Sequence, residues 1–413
     1  MKWFSCLAAL LVVAHGAHVS ALGGVVSGLK PKAITSTPVV HRLALPEFQP
    51  RVLDDASGAI SRILLLYSVS DAPSVSPPYQ DLLNQLPVEI GIVVCAADSV
   101  SIDDFRKRFR EPLSRKPRAI QFLEVGFLTS AWSRDRIIAR MRADFKPASS
   151  LLPLGADWYR EEEWKDLEVF QSMSDQGVMV GNFSLPLHLE GGNVVGGSDH
   201  VFVGFNAITD NLVSGMQAED IRGWLGKALG KDVVFLQDED GNVPKSHADM
   251  YLTPLPGNKT LLADPRLGTQ LLEGVTEGSL SYPEVEGVDR GVLFFMHDDR
   301  LSDQFDQISQ AIQQQGLEVD RLPGVFAGDN EWMVTYNNVL MDFRRGHAIV
   351  YMPVYHLDAL DNAARKVYES KGFEVRTINV STVFHLNGAI RCLANVIERK
   401  PTGFATPQHR SRK

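Results

Sequence analysis

Short apolar runs, bounded by turn residues, recur along this chain in a fixed order of strand, strand, helix, strand. The order returns about every 60 to 70 residues, slightly beyond the spacing of the usual radial or stacked repeats. The first runs are strands at 62–68, 88–96 and 119–125, with a helical turn at 82–86 and a helix at 101–109 capped by Ser101. Strands at 178–183 and 199–207 follow, then a helix at 217–229 with Ile221, Leu225 and Leu229 on one face, and a strand at 232–236. The order then returns: strand 260–263, helix 268–280, strand 291–296 and helix 303–315. A hairpin of 335–342 with 347–352, turning at Arg344-Arg345-Gly346, precedes a helix at 358–370 closed by Gly372, and a strand at 373–380. The repeat is one of element order without visible sequence identity, so the pattern alone leaves a plain α/β sandwich open.

The ends have different compositions. Met1-Lys2 followed by an apolar run from Trp3 to Ala14, then small residues to Ala21, has the layout of a secretory signal. The reading is therefore a signal peptide over 1–21, an extended Gly/Pro/Ser/Thr-rich lead-in over 22–58, one catalytic domain over 59–400 and a basic tail over 401–413. Export implies a secreted or extracytoplasmic mature chain with no membrane segment. A formal charge of −9 disfavours nucleic acid and favours cationic ligands. Of three cysteines, Cys6 leaves with the signal, and Cys95 and Cys392 do not make a disulfide framework.

Four polar clusters fall at strand ends or tight turns: Trp132-Ser133-Arg134-Asp135, Glu190-Gly191-Gly192-Asn193, Ser246-His247-Ala248-Asp249, and the stretch from Asn387 to Asn395 around Cys392. Each has a structural explanation taken singly, and Cys392 alone reads first as a small core residue. Together they supply what a thiol nucleophile needs: a histidine, a carboxylate to orient it, and two more carboxylates able to grip a planar cation. Arg391, adjacent to the thiol, is a candidate for lowering the cysteine pKa. The pairs His297-Asp298-Asp299, Asp199-His200 and His356-Leu357-Asp358 have ligand types without a third spaced partner, so no metal is expected.

The order Arg-Asp, Glu-Gly-Gly, His-x-Asp and a C-terminal Cys resembles the guanidino-group-modifying enzymes, or penteins. Within them it is most similar to the agmatine deiminases and bacterial-type peptidylarginine deiminases. His247-Ala248-Asp249-Met250-Tyr251-Leu252-Thr253, Thr335-Tyr336-Asn337-Asn338 and Gly388-Ala389-Ile390-Arg391-Cys392-Leu393 support the match, which runs from about residue 60 to 400. The resemblance implies a five-bladed α/β propeller, with pseudo-fivefold repeats of mixed sheet plus helix around an acidic pocket. It makes Cys392 the nucleophile, His247 the acid and base, Glu190 its partner, and Asp135 and Asp249 the guanidinium-binding acids. No cofactor or metal is implied. The expected substrate is a guanidino small molecule, such as arginine or agmatine, or an arginine-containing peptide or protein. An amidinotransferase with the same covalent intermediate, or a non-catalytic guanidinium-binding propeller, are the alternatives. Asn193 and Arg391 depart from the family's habit of Ser or Asp and of His, and both enter as candidate substrate contacts. Arg136 is a further candidate for a substrate carboxylate.

Overall fold

The structure, a computed structural model, describes residues 50–401 apart from 127–129, 136, 143–145, 149, 155–170, 179–181, 239–246, 274–297 and 328–331. The signal peptide, most of the lead-in, the tail beyond 401, the strand expected at 291–296 and Arg136 lie outside the described residues.

Among the described residues four sheets repeat one pattern. A strand pairs antiparallel with its successor, the chain crosses over through helix, and a third strand adds parallel to the second. In the first such sheet Val194–Gly196 pairs with His200–Gly204, and Asp232–Leu236 returns parallel after helices Asn206–Val213 and Ala218–Leu229. In the next, Leu252–Leu255 and Lys259–Asp264 are followed by Pro265–Leu272, Asp299–Gln314 and the parallel strand Glu318–Pro323. The third joins Leu340–Arg344 to His347–Val354 and, after helix Asp358–Ser370, to Phe373–Asn379.

The fourth sheet starts with the last strand of the described chain. Ala394–Lys400 lies antiparallel to Ala59–Tyr67, which takes Gly91–Ala96 in parallel after helix Ala72–Gln85, and then Ile120–Glu124. A parallel pair, Ser150–Leu154 with Asn182–His188, carries an antiparallel bridge from Ile138 to Leu151 and so shows the same polarity. The element order seen in the sequence thus follows from a chemical need: parallel neighbours require a crossover, and a helix satisfies its own backbone on the way. Short pairings Arg51–Val52 with Arg140–Met141, and Val325–Ala327 with Trp332–Val334, complete the described strands.

Strands covered on both faces are continuous apolar runs. Ile63, Leu64, Leu65, Leu66 and Tyr67 are all buried, as are Ile92 to Ala96. Each large aliphatic side chain buried this way contributes roughly 1.5–3 kcal/mol of transfer free energy. The hairpin turn falls on Arg345 and Gly346, both left-handed with φ of 51° and 86°, the geometry whose twist suits a two-residue connection.

Several elements differ from expectation: the first hairpin arm, expected at 335–342, is Leu340–Arg344, with Thr335 to Val339 outside any strand. Helix Ala72–Gln85 spans fourteen residues instead of one turn, although Pro77 and Pro78 sit inside it and each removes a backbone donor. Burial of Val75, Tyr79, Leu82 and Leu83, with the Tyr79 hydroxyl donating to the Leu66 carbonyl at 2.9 Å, outweighs that loss. The helix expected from Ser101 starts at Ser99, because Asp98 is the cap and its carboxylate accepts from the Ser101 amide at 2.7 Å. Residues 50–58, expected as lead-in, are built into the core through Val52, Leu53 and Ala56. Cys95 and Cys392 are both free and buried.

Candidate active site

In each of the four repeated sheets the opening strand is preceded by a short turn, and the polar motifs sit on these turns. Glu190 and the one-turn helix Gly191–Asn193 precede Val194–Gly196; His247 and the turn Ala248–Tyr251 precede Leu252–Leu255. Asn337 and Asn338 precede Leu340–Arg344, and the turn Ile390–Leu393, holding Cys392, precedes Ala394–Lys400. Asp135 stands just before Ile138, the residue bridged to Leu151.

Hydrogen bonds tie the turns together. The Gly191 amide donates to the Asp135 carbonyl at 2.7 Å, and the Arg134 amide to the Cys392 carbonyl at 3.2 Å. The Arg134 guanidinium is spent on the Gly191 carbonyl at 3.0 Å, the Val194 carbonyl at 2.8 Å and Asn395 Oδ1 at 3.2 Å. Arg134 is therefore a brace joining three turns. Burial and the charge of Arg391 lower its pKa to about 10, against the pull of Asp55, Asp249 and Cys392.

Glycine is needed in the Glu190 turn for proximity. A Cβ on Gly191 would overlap the Arg134 carbonyl, and one on Gly192 would overlap the His247 ring. In the Cys392 stretch the left-handed residue is Asn387, with φ of 62°, a conformation Asn tolerates. Gly388 serves instead to let the Trp132 ring lie against the backbone.

His247 Nε2 is hydrogen-bonded to Glu190 Oε2, and the two side chains are 22% and 20% exposed. Burial alone would lower the histidine pKa. The bond to Glu190 and the charges of Glu190, Asp135 and Asp249 outweigh it and raise the pKa to about 9. The ring is therefore an imidazolium at neutral pH. Asp249 is fully buried; its Oδ2 accepts from Arg391 Nη1 at 2.7 Å, and its Oδ1 has no hydrogen-bond partner among the described residues.

Cys392 is 2% exposed. Burial, then the charges of Asp249 and Asp135, push its thiol well above the usual range, opposed by hydrogen bonds from the Ala389 backbone and Asn338. The expected activation by Arg391 is thus corrected. That guanidinium gives Nη1 to Asp249 and Nη2 to Asp55 at 2.7 Å and to the Val194 carbonyl at 3.0 Å, so its charge is neutralised before it can serve the sulfur. The side chain is buried, with its Nη1 and Nη2 groups given to Asp249, Asp55 and the Val194 carbonyl. Asn193 is buried, and its Oδ1 accepts from the Ala248 amide at 3.2 Å, fixing the Glu190 turn to the His247 turn.

The structure therefore brings Cys392, His247, Glu190, Asp135 and Asp249 into one electrostatically coupled group. Sequence reasoning missed Asp55, which lies in the presumed lead-in. Burial would raise its carboxyl pKa, but Arg391, Arg134 and Arg399 hold it below the ordinary value. Asn338 enters the sequence reading only as a flank of the family resemblance. No cluster of three or more His, Cys, Asp or Glu of metal-binding geometry occurs among the described residues.

No protein-family profile matches the chain, and no curated protein matches it. Solved structures do. The agmatine deiminase of C. jejuni superposes with a TM-score of 0.62 at 13% identity, over 87% of this chain and 99% of that one. The agmatine deiminase of Enterococcus faecalis gives 0.56 at 14%, over 86% and 96%. A crystal structure described as a peptidyl-arginine deiminase gives 0.57 at 15%, over 86% and 99%. The fold of this chain is that of the pentein superfamily of guanidino-group-modifying enzymes, with agmatine deiminases among its structural neighbours.

Proposed function

We propose that this chain is a cysteine hydrolase that deiminates a guanidino substrate, releasing ammonia and a ureido product. The observation that carries the reading is a buried thiol grouped with an imidazolium and two further carboxylates, of which Asp249 keeps a buried oxygen with no hydrogen-bond partner among the described residues. A guanidinium is a planar cation, and opposed carboxylates bind it in a site shielded from water. Asp249 Oδ1 and Asp135 are the acids assigned to it.

The charge balance then couples binding to reactivity. Asp249 and Asp135 disfavour the thiolate in the free protein, and a bound guanidinium cancels their field. Cys392 loses its thiol proton to solvent as the cation binds, and the thiolate attacks the guanidinium carbon and forms a C–S bond. His247 gives its proton to the departing nitrogen, which leaves as ammonia. The resulting S-alkylthiouronium is attacked by water, and the now neutral His247 takes one proton from that water. Collapse breaks the C–S bond, regenerates the thiolate and yields the ureido group, the second water proton passing to solvent and ammonia. Glu190 orients His247 and holds it cationic for the first step.

The agmatine deiminase neighbours support a guanidino substrate and leave peptidyl-arginine, arginine and agmatine as the candidates. We read the five antiparallel-then-parallel units as blades of a five-bladed propeller whose opening turns surround the substrate. We also read 1–21 as an export signal and the mature enzyme as extracytoplasmic; N-terminal sequencing of secreted protein, expected to begin at Leu22, tests this.

The function is tested by incubating the purified protein with arginyl peptide, arginine and agmatine, and measuring ammonia and ureido product. Cys392→Ala is expected to abolish both. Ammonia release by that variant at the wild-type rate would overturn the mechanism. Product that forms only with an added amine would make the protein an amidinotransferase, and binding without turnover a guanidinium-binding module.

A further inference from the structure

Of the turns that open the sheets, three carry the residues assigned above: Glu190, His247 with Asp249, and Cys392. The turn at Asn337–Asn338 carries no assigned role, yet it reaches the sulfur. Asn338 is fully buried. Its Oδ1 accepts from the Arg391 amide at 2.8 Å and from the Cys392 amide at 3.3 Å. Two backbone donors can be met only by oxygen, so the orientation of the carboxamide is fixed and its nitrogen faces the other way. That nitrogen lies 3.2 Å from Cys392 Sγ and 3.5 Å from the Asp249 carbonyl.

The carboxamide is held from behind as well. Asn337 is clamped by its Nδ2 donating to Thr253 Oγ1 at 3.1 Å and to the Leu261 carbonyl at 3.0 Å, while Thr253 Oγ1 donates back to the Asn337 carbonyl at 2.9 Å. The turn carrying Cys392 has no side-chain cap of its own, since Ala389 precedes it. Asn338 therefore serves as a cap supplied from a distant turn, and the same carboxamide presents an N–H to the nucleophile.

We propose that Asn338 is a catalytic residue that donates to the Cys392 sulfur, stabilising its thiolate and fixing its direction of attack. The proposal rests on the reading of Cys392 as nucleophile. An N–H aimed at sulfur supplies a fixed favourable side-chain contact for negative charge there, beside the Ala389 backbone, with Arg391 neutralised by two aspartates. The donor is in place before substrate arrives, so it needs no reorganisation during attack.

The test follows alkylation of Cys392 by iodoacetamide against pH in the full chain, with peptide mass spectrometry separating it from Cys95, alongside kcat and KM for guanidino substrates. Asn338→Ala is expected to slow alkylation at pH 8 by about tenfold or more, and to lower kcat by a similar factor with KM changed less than about threefold. Asn338→Asp keeps an acceptor for both backbone amides and removes the donor facing sulfur, so a loss at least as large is expected from a protein that retains its fold. Alkylation within about threefold of wild type in folded Asn338→Asp overturns the assignment. If both variants lose thiol reactivity while wild type turns over no guanidino compound, Asn338 keeps its role and the proposed reaction fails. If turnover is normal and reactivity does not move, the reverse holds.

Discussion

Replacing Glu190 by Gln tests the link between the site's electrostatics and its chemistry. The substitution keeps the size of the side chain and a hydrogen-bond acceptor for His247, and removes the charge. In the wild type His247 is raised to about 9 against its burial, chiefly through Glu190. Without that charge, burial acts against the remaining pull of Asp135 and Asp249, and the pKa is expected at or below the ordinary 6.5. At pH 7.5 the protonated fraction then falls from about 97% to about 9% or less, a loss of about tenfold in acid-competent enzyme. That drop in pKa, from about 9 to 6.5, corresponds to on the order of 3 kcal/mol of coupling between His247 and Glu190. Because the folded pKa lies above the unfolded one, this stabilisation is fully present below pH 6.5 and is lost as pH rises through about 9. The assay is a kcat/KM profile from pH 6 to 10, with denaturant unfolding at pH 6.5 and 9.5. Glu190→Gln is expected to move the alkaline limb from about 9 to below 7 and to flatten the loss of stability over that range. An alkaline limb that stays at the wild-type pH in the variant refutes the reasoning.

Three further outcomes follow from packing. Gly192→Ala places a methyl group in the His247 ring position, and kcat is expected to fall about 100-fold while thermal unfolding changes little, because the imidazole moves before the backbone does. Asp55→Ala leaves buried Arg391 with half its charge partners; the unfolding free energy is expected to drop by about 3–5 kcal/mol, and KM to rise more than kcat falls as Asp249 loses its brace. Cys95, whose thiol burial pushes up to about 12, lies in a core strand, and Cys95→Ala is expected to cost about 1 kcal/mol in denaturant unfolding and leave turnover unchanged.

The parts legible in the sequence are those whose chemistry is local. His247 and Asp249 share one turn, Glu190 stands beside the glycines that let it approach, and Cys392 stands after Gly388, so spacing along the chain carries the information. The alternation of apolar runs likewise reports strands covered on both faces, such as Gly91–Ala96. What was illegible depends on distant partners. Nothing near Arg391 in sequence announces Asp55, 336 residues away, and adjacency to Cys392 suggested thiol activation that the ion pairs cancel. Asn193 looks like a turn residue with a spare polar group until the Ala248 amide is brought to it. Three prolines masked helix Ala72–Gln85, whose support comes from the covering core. Asn338 acquires its meaning only when two separate sheets bring their opening turns side by side.

The antiparallel pairing of Ala394–Lys400 with Ala59–Tyr67 has a consequence in time. The strand directly after the nucleophile must find a partner from the start of the domain, and the Tyr79 hydroxyl reaches the Leu393 carbonyl across 314 residues. Contacts of such separation form late and slowly, because the intervening loop entropy is lost before they can reward it. A growing chain carries His247, Glu190 and both aspartates long before it carries the thiol, and the thiol gains its surroundings only when the last strand docks. Under the proposed mechanism the chain is therefore inert until its last described strand pairs with Ala59–Tyr67, and loss of that pairing removes the thiol's surroundings.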